Sequence, residues 1–232
     1  MLREAQIDSE KATRVAHKYK VMPDIFVKHG GQPASMDEIG SRHYHERGGR
    51  RLGVPTLVWE LFSGSGTFTS VVHRHRLGCM PPVDYRYGHN LDGRFGQGRT
   101  LWALLLYGVY AVVAAPTCTP WSANSRAWEP AVRFARRNSE KSCLYFLAAV
   151  ILVQSLLGLY FVVENPLGSD IWTQSPLAPV MDLGRLVTAD QCEYGAEISG
   201  ELVRKSTQFF TNLPNFRADS CCTGNHSHRQ LT

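Results

Sequence analysis

Residues 101–118 read LWALLLYGVYAVVAAPTC, and this stretch decides the fold class. Residues 101–107 predict a helix, and Gly108 predicts its end because glycine commonly follows the last helical turn. Residues 109–115 are apolar without alternation, which is typical of a parallel strand covered on both faces. The polar loop Pro116-Thr117-Cys118 would then lie beyond the carboxyl end of that strand.

The same order of elements recurs further along the chain. Residues 151–157 predict a helix, Gly158 its end and residues 159–163 a buried strand, which Glu164-Asn165-Pro166 follow at once. The uncharged run at residues 144–163 leaves open a membrane-spanning helix as well, since a span needs about 20 apolar residues. We favour the helix and strand, because aromatic and β-branched residues follow Gly158 and no other segment could partner a membrane span.

Residues 56–62 (TLVWELF) and the short run 79–83 supply two further strands. The sequence therefore predicts an α/β fold with a Rossmann-like, doubly wound, mostly parallel sheet, formed by a single domain at residues 54–215. Residues 1–53 are predicted to form a polar, helical N-terminal extension, and residues 216–232 a tail that contains Cys and His. Ligands bind beyond the carboxyl ends of the strands in such sheets, so we expect the loops there to converge on one site.

The composition restricts the class of protein. Hydrophobic residues make up 44% and charged residues 19% of the chain, which indicates a folded protein and excludes a disordered one. The net charge of +5 permits a polyanionic partner without requiring one. The six cysteines lack the spacing of a disulfide framework, and the first residues lack the apolar run of a signal peptide. We expect an intracellular, soluble protein with reduced cysteines and no membrane partner.

A glycine-rich loop, Ser63-Gly64-Ser65-Gly66-Thr67, lies between a predicted strand and a predicted helix at residues 68–76. Small residues there let the backbone approach a ligand, and the helix N-terminus offers N–H donors. Such loops bind dinucleotides, phosphates or S-adenosylmethionine, although the lysine of a phosphate loop is absent. Asp84 would contact a ribose diol, unless it is a solvated loop residue, and Asn90 or Asp92 would contact the adenine amino group.

Cys118 is held between Pro116 and Pro120 at the end of a buried strand. Rigid display of a thiol suits a nucleophile, because preorganisation lowers the entropic cost of attack. A cysteine without chemical function is the alternative. Glu164 emerges from the most hydrophobic stretch of the chain, and such a carboxyl can donate to, or protonate, a ring nitrogen. The alternative for Glu164 is a cap of the following loop.

Three motifs in this order, residues 62–66 (FSGSG), 116–122 (PTCTPWS) and 164–166 (ENP), resemble those of the DNA cytosine-5 methyltransferases. That family has a Phe-x-Gly-x-Gly cofactor loop, a Pro-Cys nucleophile loop that ends in Ser, and a Glu-Asn-Val tip. The resemblance covers residues 57–163, with a fainter similarity at residues 204–207 (RKST) to a basic strand of the family.

The resemblance implies an S-adenosylmethionine-dependent enzyme that methylates C5 of cytosine. Cys118 would attack C6, Glu164 would engage N3 and the amino group, Asn165 would position the loop or the base, and Arg204 or Lys205 would steady the ring or its phosphate. The catalytic set that we carry forward is Cys118, Glu164, Asn165 and Arg204. The implied cofactor set is Phe62, Ser63, Gly64, Ser65, Gly66, Thr67, Phe68, Asp84, Asn90, Asp92 and Pro116.

The implied substrate is nucleic acid, with DNA favoured over RNA, and the target base must be flipped out or single-stranded. Thr117 and Pro166 depart from the family pattern, and the family's Gln-x-Arg-x-Arg motif is absent. The short stretch after the basic segment leaves no evident target-recognition domain, so a partner chain could supply recognition. Three alternatives stay open. The first is an inactive methyltransferase-like domain that binds nucleic acid or a partner, the second is a methyltransferase that acts on RNA or a free nucleotide, and the third is a Rossmann-like enzyme that uses another nucleotide cofactor.

Basic residues follow the Cys118 loop and would contact a polyanion or form a solvated helix face. They are Arg126, Arg133, Arg136, Arg137 and Lys141.

Residues near the C-terminus offer ligands for zinc. Cys192, Cys222, His226 and His228 supply two thiolates and two imidazoles, a set that suits tetrahedral Zn²⁺. Their spacing matches no standard zinc finger, and a metal-free tail is the alternative. If zinc binds, its binding free energy would order a tail that has little apolar material of its own.

Overall fold

A computed structural model describes the protein from residue 58 to residue 229. The predicted polar extension, residues 1–53, lies outside the described residues. The α/β class is confirmed, since helices and a five-stranded sheet alternate along the described part of the chain.

Three parallel strands form one half of this sheet: β1 (Val58–Leu61), β2 (Ala111–Ala114) and β3 (Tyr160–Pro166). Their side chains are mostly buried, which explains the continuous apolar sequence that predicted them. The predicted strand at residues 79–83 is reduced to two isolated parallel bridges, which Cys79 and Val83 form with β1.

The remainder of the sheet consists of two strands, one of which is antiparallel to its neighbours. β4 (Arg185–Asp190) is followed by the small hairpin of β5 (Glu197–Ile198) and β6 (Glu201–Leu202), and then by β7 (Ser206–Thr211). β7 pairs antiparallel with both β3 and β4, giving the order β1-β2-β3-β7-β4. Because β7 pairs with the end of β3, Glu164, Asn165 and Pro166 belong to that strand, which therefore ends three residues later than the predicted strand at residues 159–163.

The helices are α1 (Thr67–Arg74), α2 (Arg94–Tyr107) and α3 (Pro130–Leu156). α2 ends at Gly108, which has φ of 56° and whose N–H bonds to the Leu104 carbonyl. Short 3₁₀ turns connect the elements at Tyr85–Tyr87, Ala123–Ala127, Asp170–Thr173, Ala178–Leu183 and Gln191–Tyr194.

α3 is much longer than the helix predicted at residues 151–157. It begins with Pro130 after Glu129, whose carboxylate accepts from the Ala131 and Val132 N–H groups. Within the described residues, α3 is the single helix long and apolar enough to cross a membrane, and 67% of its most apolar window is buried. That burial is typical of a core helix, and the chain then turns at Gly158 into β3, as the sequence favoured.

Candidate functional site

The site lies where the strand order reverses. β1 is bridged on one side by residues 79–83, which follow it in the chain, and is paired on the other side with β2. The connection after β1 goes toward residues 79–83, whereas the connection after β2 goes toward β3 on the opposite side. These opposite directions open a crevice beyond the carboxyl ends of β1 and β2, the usual ligand site of open α/β sheets.

The three resemblance motifs begin at one level of the sheet. Leu61 is in register with Ala114, and Ala114 with Val163. The FSGSG motif starts at residue 62, directly after Leu61. The PTCTPWS motif starts at residue 116, two residues after Ala114, and Glu164 follows Val163 directly. The register therefore brings all three motifs to the same edge of β1, β2 and β3.

The glycine loop is shaped by left-handed backbone conformations. Phe62, Gly64 and Gly66 have φ of 53°, 53° and 67°, and Gly66 is the N-cap of α1 without a side-chain cap. A Cβ on Gly66 would lie 2.8 Å from the hydroxyl of Tyr87, whereas a Cβ on Gly64 would meet open space. The two glycines therefore differ, since Gly66 is required by internal packing and Gly64 leaves the loop open to a ligand.

Glu60 links β1 to the helix that follows the glycine loop, and the sequence did not predict this contact. Its buried carboxylate accepts from the Thr69 N–H at 2.8 Å and from the Thr69 hydroxyl at 2.6 Å. These bonds fix the first turn of α1 relative to β1. An acidic residue inside an apolar strand was the available signal, because a buried carboxylate needs such partners.

Asp84, which the sequence predicts to contact a ribose diol, lies beside the glycine loop. One carboxylate oxygen accepts from the Gly64 N–H at 3.0 Å, and the other accepts from the Arg86 N–H at 3.0 Å. Each carboxylate oxygen has a further lone pair, so Asp84 can still accept from a ligand hydroxyl.

A cavity of about 280 Å³ lies next to Asp84. It is lined by Val83, His89, Asn90, Phe95 and Arg99, among others. Burial and the positive charge of Arg99 lower the pKa of His89, which favours the neutral imidazole.

Asn90 and Asp92 are separated by the fold. Asn90 lines the cavity, whereas the Asp92 carboxylate accepts from the Cys143 thiol at 3.0 Å on α3. Burial, together with Asp92, raises the pKa of Cys143, which therefore stays protonated. Of the two residues left open for adenine contact, Asn90 therefore faces the cavity, whereas Asp92 contacts α3.

The Cys118 loop is held rigidly. Its thiol is half-buried, and its carbonyl accepts from the Trp121 and Ser122 N–H groups, both at 2.9 Å. Trp121 is buried and anchors the loop in the core. A hydrogen-bonded turn therefore adds to the rigidity that the flanking prolines predicted for this loop.

An ionic network supports the outer part of this loop. Arg137 Nε donates to the Pro120 carbonyl at 2.8 Å, and the Arg137 guanidinium lies over the Trp121 ring. Arg137 and Arg126 both pair with Asp170, whose own N–H donates to the Trp121 carbonyl. The hydrogen bond from Arg137 lowers the pKa of Asp170. Arg126 and Arg137, for which the sequence left open a polyanion contact or a solvated helix face, thus pair with Asp170 within the protein.

Asn165 connects two strand ends. Its side chain is fully buried, and its Nδ2 donates to the Pro116 carbonyl at 3.2 Å, while Oδ1 has no protein partner. Asn165 therefore contacts the Cys118 loop directly, and Pro116 is held at the junction of β2 and β3.

The cation beside Glu164 is Lys205. Lys205 Nζ lies 3.3 Å from Glu164 Oε1, whereas Arg204 lies 3.5 Å from the Asp190 carboxylate. The sequence left Arg204 and Lys205 open and carried Arg204 forward. Lys205, and not Arg204, contacts Glu164, because neighbouring residues of an extended segment face opposite sides.

All four predicted zinc ligands come together. Their ligand atoms lie within 4.8 Å of one another, and Cys222 Sγ is 3.7 Å from His226 Nε2 and 3.4 Å from His228 Nε2. Burial, with the neighbouring Cys222 thiol, raises the pKa of Cys192.

Comparison with known proteins does not assign the chain to a family. No model of a protein family matches the chain, and no curated protein matches it either. The function must therefore be argued from the site itself.

Proposed function

We propose that the chain is an S-adenosylmethionine-dependent methyltransferase that acts on C5 of cytosine in nucleic acid. The register of Leu61, Ala114 and Val163 carries the proposal, because it gathers a glycine loop, a rigid cysteine loop and a carboxylate at one edge. With the reversal of strand order at β1, the same observation supports a Rossmann-like, doubly wound methyltransferase fold.

The residues around the glycine loop fit the cofactor in chemistry. The open face of Gly64 admits a ligand, Asp84 offers acceptors for a ribose diol, and Asn90 lines an adjacent cavity. S-adenosylmethionine, when bound, supplies an electrophilic methyl group. The open N-terminus of α1 adds N–H donors at the same place.

Cys118 acts as the nucleophile in this proposal. Its thiolate would add to C6 of cytosine, which makes C5 nucleophilic, and C5 would take the methyl group from S-adenosylmethionine, which departs as S-adenosylhomocysteine. Transfer of the C5 proton to solvent water and cleavage of the C6–S bond would then restore the ring and free the Cys118 thiolate. The turn that Trp121 and Ser122 form with the Cys118 carbonyl keeps the thiol in place during both steps.

Glu164 and Lys205 form the electrostatic part of the site. Glu164 engages N3 and the amino group of cytosine, and its bond to N3 stabilises the electron shift that follows thiolate addition. Lys205 pairs with Glu164 and fixes its orientation. Asn165, which contacts the Pro116 carbonyl, is a positioning residue for the Cys118 loop.

The proposed substrate is a polyanion, with DNA favoured over RNA and a partner chain as a source of target recognition. Arg136 and Lys141 are exposed on the charged first half of α3, which follows the Cys118 loop, and are available to phosphates. The target cytosine must leave its stack to reach Cys118. An intracellular site of action belongs to the same proposal.

A trap with 5-fluorocytosine tests the proposal. Fluorine at C5 cannot leave as a cation, so the Cys118 adduct persists and migrates as a covalent complex. The full chain is incubated with S-adenosylmethionine and fluorocytosine-containing DNA or RNA in separate arms. We expect a complex with wild type and none with Cys118→Ser, while Cys79→Ser, another half-buried cysteine, serves as the matched control.

The outcomes separate the functional classes. A complex in the DNA arm supports the proposal, and a complex confined to the RNA arm changes the polymer. An adduct that survives in Cys118→Ser overturns the nucleophile. Binding of nucleic acid without adduct or methyl transfer in either arm favours the inactive, nucleic-acid-binding alternative.

A further inference from the structure

We propose that Cys192, Cys222, His226 and His228 bind a structural zinc ion. Zn–S bonds of about 2.3 Å and Zn–N bonds of about 2.0 Å, at tetrahedral angles, place sulfur and nitrogen ligands about 3.5 Å apart. The distances from Cys222 Sγ to His226 Nε2 and His228 Nε2 are 3.7 Å and 3.4 Å. These two distances match a tetrahedral site, and all four ligand atoms lie within 4.8 Å of one another.

The ligand set selects zinc and a structural role. Two thiolates and two neutral imidazoles cancel the charge of Zn²⁺, and mixed sulfur and nitrogen donors in a tetrahedron favour zinc over calcium or magnesium. Four protein ligands leave no position for water or substrate, so the site is closed. We therefore assign no catalytic step to this ion.

Contacts around Cys222 support a metal-bound thiolate. The Gly224 N–H donates to Cys222 Sγ at 3.3 Å, and Gly224 reaches that position with φ of 80°. The Cys222 N–H donates in turn to the Asp190 carboxylate at 2.7 Å. Such outer contacts orient the ligands of a metal and are part of a built site.

The tail needs such an anchor. No residue from 212 to 229 belongs to the hydrophobic core, so the described end of the chain has little apolar burial of its own. Its other connections are a ring contact between Phe216 and Phe209, an exposed ion pair between Arg229 and Glu201, and hydrogen bonds such as those of the Tyr194 hydroxyl with Arg217 and Ser220. Zinc would join this tail to the turn that holds Cys192, and the binding free energy would become folding free energy.

The zinc site also reaches the start of β7. Gln191, next to Cys192, donates its N–H to the Lys205 carbonyl at 3.1 Å and its Nε2 to the Thr207 hydroxyl at 3.1 Å. The metal would therefore fix the backbone of Lys205, which pairs with Glu164. The zinc inference itself stands without the proposed methyltransferase activity.

Metal content tests the inference. The full chain is produced without a metal-affinity step, supplied with zinc, dialysed and measured by mass spectrometry. We expect about one zinc per chain in wild type and at least a fivefold loss in Cys222→Ser and His228→Asn. Cys221→Ser is the matched control, because Cys221 is an adjacent, exposed cysteine outside the cluster. Wild type without zinc, or an equal loss in Cys221→Ser, overturns the inference.

Cobalt substitution covers the case in which ligand variants fail to fold. Metal-stripped wild type is titrated with Co²⁺, and tetrahedral thiolate coordination gives visible and near-ultraviolet bands that one equivalent of zinc abolishes. We expect saturation at one cobalt per chain. Absence of these bands overturns the site in wild type, whether or not the fluorocytosine trap succeeds.

Discussion

β2 and β4 belong to the same sheet, yet their surroundings differ. Three of the four residues of β2 are buried, whereas β4 exposes Arg185 and Leu186 and is buried only at Ala189 and Asp190. The parallel half of the sheet, β1 to β3, is thus held by apolar packing. The antiparallel half, β7 and β4, depends on polar contacts at its outer end.

Asp190 shows how the antiparallel half is held. Its carboxylate accepts from the Ser206 hydroxyl and from the Cys222 N–H, and it pairs with Arg204. Apolar burial is not directional, but each of these contacts requires one geometry. We therefore expect the parallel half to provide most of the stability of the domain, while the antiparallel half positions Lys205 and the tail.

The largest effect is expected from the packing of the parallel half. Phe161 is 1% exposed on β3, and its ring lies 5.2 Å from that of Phe210. Phe161→Ala should reduce the free energy of unfolding by about 3–5 kcal/mol through lost burial and a cavity. Urea unfolding measures it, with the exposed Phe134→Ala on α3 as control. If Phe161→Ala changes stability no more than the control, the parallel half does not provide the stability.

Asn165→Ala tests the junction between β2 and β3. The change removes the donor to the buried Pro116 carbonyl, which should cost about 2 kcal/mol. The fluorocytosine adduct should also form more slowly, because the Cys118 loop loses its contact with β3. Unfolding and adduct kinetics are compared with the exposed Asn124→Ala. A large stability loss with unchanged adduct kinetics would separate Asn165 from the loop's function.

The sequence predicted the parallel half well. Continuous apolar runs that are interrupted by Gly108 and Gly158 predict a helix, a turn and a strand. Each of these elements can be predicted from its local sequence, without knowledge of long-range contacts. The start of α3 at Pro130 was missed because its first half is charged and its second half apolar. No single amphipathic period covers both parts.

The antiparallel half was harder to predict for a physical reason. β7 inserts between β3 and β4 by non-local pairing, and the register of such a strand decides which side each residue faces. The sequence therefore left Arg204 and Lys205 open, and only the three-dimensional pairing distinguishes them. The zinc ligands were predicted by chemical type, but their spatial convergence depends on the contact between the tail and Asp190.

The ionic network beside the Cys118 loop gives a pH-dependent test. Arg137 and Arg126 lower the pKa of Asp170, so the ionised carboxylate stabilises the folded state. This contribution is complete above the unfolded pKa of about 3.9 and is lost as the pH falls through the lower folded value. Asp170→Asn should lose about 1 kcal/mol at pH 7, since solvent partly screens the pair.

The measurement for Asp170 compares urea midpoints at pH 7 and pH 3. The difference between wild type and Asp170→Asn should shrink at pH 3, because wild type then loses part of the same contribution. The exposed Asp182→Asn is the control and should change stability little at either pH. If the stability difference between wild type and Asp170→Asn is the same at pH 7 and pH 3, the loss comes from packing and the ion pairs do not contribute.

The smallest effect on stability, and the sharpest on chemistry, is expected at residues 204 and 205. Both ion pairs are partly exposed, so Lys205→Gln and Arg204→Gln should each cost less than about 1 kcal/mol. On the proposed function, adduct formation should fall at least about tenfold only in Lys205→Gln, a change equivalent to about 1.4 kcal/mol in the barrier. Lys205→Arg, which keeps the charge, should recover part of the rate. Equal rates of adduct formation in Lys205→Gln and Arg204→Gln would contradict this expectation. The side that each residue faces at the start of β7 would then have no effect on the reaction, and the antiparallel half would contribute to stability alone.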